Sequence, residues 1–161
     1  MTMMNNTLAT CAALLLSWLL LAACSTSIPF GQATQQAQLG EPFALRTGQT
    51  AYLNDTSLQI VFASIPADGR CPTNIDCAET APVQVVLEVG DTGGSEWQEV
   101  RLQAHTTQDG AVIPTAPGTV VSERYGGYEI ALVSVTPYPD AEQSTDERDY
   151  RIELIVSGEA P

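Results

Sequence analysis

The sequence predicts an all-β domain, an antiparallel β-sandwich, with a small Greek-key barrel as the alternative. Three observations carry that expectation. Apolar and polar residues alternate with period two in several segments, turn-forming residues interrupt them at short intervals, and no segment after Cys24 shows a helical stripe of useful length. Alternation of this kind places one face of each strand on a core and the other in water, which is the habit of antiparallel sheets. Several short strands so spaced suit a sandwich or a barrel.

In chain order, the short candidates Phe43 to Arg46 and Ala51 to Leu53 come first. Asn54-Asp55 is expected to close a hairpin onto Leu58 to Ser64. In the next strand Val83, Val85, Leu87 and Val89 point one way while Gln84 and Glu88 point the other, with Val86 out of pattern. Gly90 to Ser95 then turns the chain onto Trp97 to Ala104, where Val100, Leu102 and Ala104 alternate with Glu99, Arg101 and Gln103. Trp97 falls out of phase with Val100 and faces away from the core side, where it covers a sheet edge or, beside Tyr125 or Tyr128, forms a platform for carbohydrate. Thr119 to Glu123 and Tyr128 to Val135 flank the turn signal Gly126-Gly127. The last strand alternates Tyr150, Ile152, Leu154 and Val156 with Arg151 and Glu153. The expected core is Leu58, Ile60, Phe62, Val83, Val85, Leu87, Val100, Leu102, Ile130, Leu132, Ile152, Leu154 and Val156.

Ahead of this domain the composition changes. Ala12 to Ala23 is an apolar run whose only polar residue is Ser17, and small Ala22-Ala23 precede Cys24. A spanning helix needs about 20 apolar residues, so this core is short for an uncleaved anchor and suits a signal h-region. Before Ala12 there is no Lys or Arg, so only the α-amino group supplies the positive charge usual there. Leu21-Ala22-Ala23-Cys24 resembles the lipobox of bacterial lipoprotein precursors. The resemblance implies cleavage before Cys24, acyl chains on that residue and a membrane held through lipid. It divides the chain into a signal helix at 1–23, a lipidated Cys24 with a flexible tether over 24–38, and one domain over 39–161. The tether reading follows from an uncharged stretch rich in Ser, Thr, Gln and Ala. Ser25 is not the Asp that retains lipoproteins in an inner membrane, so the expected location is the outer membrane where a cell has two, and otherwise the outer face of the cell membrane.

Charge narrows the partners. The chain carries 19 acidic residues against 6 basic ones, all Arg, for a formal net charge of −13. Nucleic acid binding needs a basic patch, and anionic head groups repel such a surface, so nucleic acid is excluded as an expected partner and lipid is left to do the anchoring. The acidity itself reads as a solvated surface.

Four cysteines divide cleanly. Cys11 lies in the signal segment and Cys24 in the lipobox, which leaves Cys71 and Cys77 as a pair expected to oxidise outside the cytoplasm. Closing so small a ring restricts the unfolded chain by about 2 kcal/mol. The spacing is not C-x-x-C and no His is near, so neither a redox motif nor a metal site is expected there.

Leu39-Gly-Glu-Pro-Phe-Ala-Leu-Arg, Asp68-Gly-Arg-Cys-Pro72 with Cys77, Gly127-Tyr-Glu-Ile-Ala-Leu132 and Pro137-Tyr-Pro139 occur in an order that resembles a group of small bacterial secreted and lipoprotein domains with an Asp-Ser-Arg-Cys-Pro signature. Gly69 stands where that signature has Ser, and Ala78-Glu79-Thr80 where Trp-Ala-Gly often follows. The resemblance implies a β-rich domain with a Cys71 to Cys77 clasp and carries over no catalytic residue.

Chemistry-bearing patterns are sparse. His105 is the only His and no G-x-S-x-G accompanies any Ser, so a nucleophilic triad has little to build on. Asp146, Glu147 and Asp149 lie in a polar run typical of solvated loops, and Asp91 to Glu96 lacks the EF-hand order. Without Lys there is no phosphate loop of the Walker type. No cofactor and no metal are expected. Three readings follow: a tethered binding or structural module that meets an envelope protein or polysaccharide through its loops, a protease inhibitor whose disulfide-clamped loop presents Arg70 beside Pro72, and a hydrolase using acidic residues.

Overall fold

The computed structural model describes residues 33–158, which build two packed β-sheets. The strands are β1 (Thr34–Ala37), β2 (Phe43–Arg46), β3 (Thr50–Leu53), β4 (Leu58–Asp68), β5 (Val83–Asp91), β6 (Trp97–Ala104), β7 (Ser122–Tyr125), β8 (Tyr128–Thr136) and β9 (Arg151–Ser157). One sheet has the order β1-β3-β4-β5-β6, the other β2-β9-β8-β7. Every pairing is antiparallel except that of β1 with β3. This is the expected sandwich.

The core forms where the two inner faces meet. All thirteen expected core residues are buried, from Phe62 and Leu102 in one sheet to Ile130 and Leu154 in the other. They are joined by Leu45, Ala51, Leu53, Val89, Ala104, Val135 and Tyr150 in one cluster. Val86 breaks the alternation because it is nearly buried on the opposite face, at 7 % exposure. The hairpins close where turn chemistry placed them. At β7–β8 Gly126 and Gly127 both have positive φ, 55° and 91°, the requirement of the two-residue turn whose twist matches the strands.

Four expectations change. The proposed tether reaches less far: Thr34–Ala37 pairs with β3, Ala37 is buried, and Asn54 N donates to Ala37 O at 2.8 Å. Gln35 Nε2 also donates to Ala44 O of β2 at 2.7 Å, which ties this strand to the second sheet. An edge strand needs backbone partners more than apolar side chains, so polar Thr-Gln-Gln suffices there. The signal residues and tether residues 24–32, Cys24 included, lie outside the described residues. Second, β4 runs on past Ser64 to Asp68 through two register shifts against β5. Third, β7 starts at Ser122 because Thr119 is engaged in a turn, its hydroxyl donating to Ala116 O and Pro114 O. Fourth, the barrel alternative is not realised: β6 and the approach to β7 share one bridge, Gln103 with Val120, and the ladder stops there.

Candidate functional site

The inhibitor reading needs the segment from Asp68 to Cys77 to project a binding loop, and the structure divides it into a buried root and an exposed tip. Gly69 follows the end of β4, where a Cβ would lie 2.5 Å from Ala81 Cβ, so only glycine lets the two backbones meet as they do. Ala81 N donates to Gly69 O at 2.8 Å across that contact. The turn sends Arg70 inward, and it is 4 % exposed. This overturns the expectation of a protruding Arg70.

The reason lies in the acceptors. Nε donates to Asp68 Oδ1 at 2.8 Å, Nη1 to Thr106 Oγ1 at 2.9 Å and Val135 O at 3.0 Å, and Nη2 to Asp68 Oδ2 at 2.5 Å and Pro137 O at 2.9 Å. A guanidinium has five N–H groups and all are used, which is the condition for burying one. Tyr138 lies under it, with the ring centroid 5.0 Å from Cζ, within cation–π range. Tyr150 Oη donates to Asp68 Oδ2 at 3.0 Å. Burial, and then the Asp68 carboxylate beside it, push the Tyr150 hydroxyl up to about 12. The cluster ties the end of β4 to β8 and to the start of β9, so it staples one sheet to the other.

Beyond this root the chain is clamped by the Cys71–Cys77 disulfide, with Cα atoms 5.8 Å apart, and by Thr73 N donating to Pro139 O at 3.0 Å. Pro72 is half-buried. The exposed apex is Asn74, Ile75 and Asp76, with Ile75 at 51 % exposure.

Trp97 does face away from the core side and is 45 % exposed. It lines an open recess of about 460 Å³ with Ser95, Glu96, Gln98 and Tyr125. Partial burial, and then the carboxylates of Asp91 and Glu96, raise the Tyr125 hydroxyl above its ordinary value. The indole rests on Gly90 of the paired strand, where a Cβ would lie 3.1 Å from its ring carbons. A side chain there would push Trp97 away.

The remaining candidates are scattered. His105 follows β6 half-buried, and its carbonyl accepts from Ile113 N at 2.8 Å. Asp91 Oδ1 accepts from Ser57 Oγ at 2.8 Å. Asp146, Glu147 and Asp149 are exposed, and Arg148 holds the Asp146 carboxyl down to about 2, mainly through side-chain hydrogen bonds. Sequence reasoning missed the inward Arg70, whereas it did pair Trp97 with Tyr125, which share the recess. An available signal was the two-residue spacing of Asp68 and Arg70, an acid–arginine spacing that also forms ion pairs at Glu99 with Arg101 and at Asp146 with Arg148. Comparison with protein-family models, curated proteins and solved structures returns no match.

Proposed function

We propose that this chain is a lipid-anchored lipoprotein of the bacterial cell envelope whose sandwich acts as a binding or structural module. The observation that carries the reading is Leu21-Ala22-Ala23-Cys24 at the end of a short apolar run. Two features support it. A paired Cys71–Cys77 suits an oxidising compartment, and a net charge of −13 with no Lys suits attachment through acyl chains better than through head groups. Only residues 24–32 separate the lipid from the described domain, which bounds its distance from the anchor at about 30 Å of fully extended chain.

The module reading is favoured over the inhibitor one by Arg70, whose donors are all spent inside the fold. A rigid two-sheet scaffold with exposed loops is what a recognition module needs. Fractionation of cells producing the chain from residue 24 with Cys24→Ser, exported behind a cleavable signal that needs no cysteine, tests the anchor against the parent precursor. The parent is expected in the membrane fraction and released by detergent, the variant in the soluble extracytoplasmic fraction. Equal membrane retention of both would overturn it.

A further inference from the structure

Gln103 and Val120 exchange both backbone bonds, each 2.8 Å, so Gln103 turns its N–H and C=O away from β5. In an antiparallel ladder alternate residues face the same side, and Arg101, Glu99 and Trp97 therefore present their backbone groups outward as well. Carried on, the Gln103 to Val120 register would match Arg101 with Ser122 and Glu99 with Arg124. It is not carried on. A recess of about 320 Å³, lined by Gln98, Glu99, Val100, Arg101, Glu123 and Arg124, opens between the two strands. Among the described residues the outward backbone groups of Trp97, Glu99 and Arg101 have no backbone partner.

A free edge of this kind is a template for another strand. Its open end carries Trp97 and Tyr125 with Glu96 and Asp91 close by, a combination that attracts a cationic side chain over an aromatic face. We propose that the outer edge of β6 accepts an extended, Lys- or Arg-bearing segment of another protein, which adds as a strand and lays a basic side chain on Trp97. The net charge of −13 favours a basic partner and opposes a second copy of the same chain. A sugar stacked on Trp97 would leave the backbone edge unused. The proposal rests on the binding-module reading and not on the lipid, so it is tested without the anchor.

Residues 33–158 hold the whole described core, so the test uses the chain from residue 24 with Cys24→Ser, in which Trp97 is the sole tryptophan. The probes are an eight-residue alternating Lys-Val peptide, its Glu-Val counterpart, and the Lys-Val peptide with alternate backbone nitrogens methylated. The Lys-Val peptide is expected to change Trp97 fluorescence saturably and to slow hydrogen exchange at the amides of Trp97, Glu99 and Arg101, while the other two probes do neither. Glu99→Pro removes an outward N–H without touching the ladder to β5, and should weaken binding about fivefold beyond Glu99→Ala. Unchanged protection at Gln98 and Val100 shows that the variant is folded. A fluorescence change without amide protection, equal binding of the acidic peptide, or no response at millimolar Lys-Val peptide overturns the proposal. Protection that rises with protein concentration alone assigns the edge to a second copy and overturns it too. Each of these outcomes leaves the Cys24 fractionation result standing.

Discussion

Replacing Arg70 by Met keeps much of the side-chain volume and removes all five guanidinium donors. The Asp68 carboxylate, whose side chain is 10 % exposed, would keep only the Tyr150 hydroxyl and the Arg70 backbone N–H. Val135 O and Pro137 O would lose the donor they share. Removing one partner of a buried ion pair costs about 3–5 kcal/mol, because the other charge stays behind uncompensated. Orphaned carbonyls at about 1–3 kcal/mol each give a loss of the same order. Taking about 4 kcal/mol and a urea slope of about 2 kcal/mol per molar, the unfolding midpoint should fall by about 2 M. Asp68→Asn added to Arg70→Met should recover at least about 1 kcal/mol, since the stranded charge is then gone. A loss under about 0.5 kcal/mol, the size of an ordinary surface substitution, would refute the burial of Arg70 and return it to the surface.

Other perturbations probe neighbouring parts of the same end of the sandwich. Gly69→Ala forces a methyl against Ala81 and should destabilise by about 1–3 kcal/mol in the same urea titration, whereas Gly93→Ala, at a φ of +80° with open space around it, should cost about 1 kcal/mol. Replacing Cys71 and Cys77 together by Ser should cost about 2 kcal/mol, and reductant should then have no further effect on the melting temperature. Tyr150 holds its proton more tightly folded than unfolded, so its contribution is complete below pH 10 and declines as the pH rises toward 12, by about 2 kcal/mol at most. Tyr150→Phe should flatten that alkaline decline, and an unchanged slope between pH 10 and 12 would count against the buried hydroxyl.

The strands were legible because their physics is local. A residue such as Leu102 or Leu154 declares its face through its neighbours, and a buried face demands one register. Gly126-Gly127 and Asn54-Asp55 declare turns for similar reasons. What stayed hidden depends on distant partners. β1 reads as a linker because Thr-Gln-Gln-Ala has no apolar rhythm, and its strand exists only through backbone bonds to β3 and Gln35 reaching Ala44. Arg70 reads as exposed because a charged residue after a strand normally is. Its acceptors at Thr106, Val135 and Pro137 lie 36, 65 and 67 residues away in the chain, and no local pattern announces that they converge. The seam beside β6 is hidden for the same cause: whether Val120 and Ser122 continue a ladder is settled by the twist of two sheets and not by either segment.

The central claim concerns Cys24, and intact-mass analysis of the protein purified from cell envelopes tests it most directly. The account predicts a chain lacking residues 1–23, heavier at its new N-terminal cysteine by a thioether-linked diacylglyceryl group, and with Cys71 joined to Cys77. A full-length, unacylated polypeptide with free thiols at 71 and 77 would contradict it.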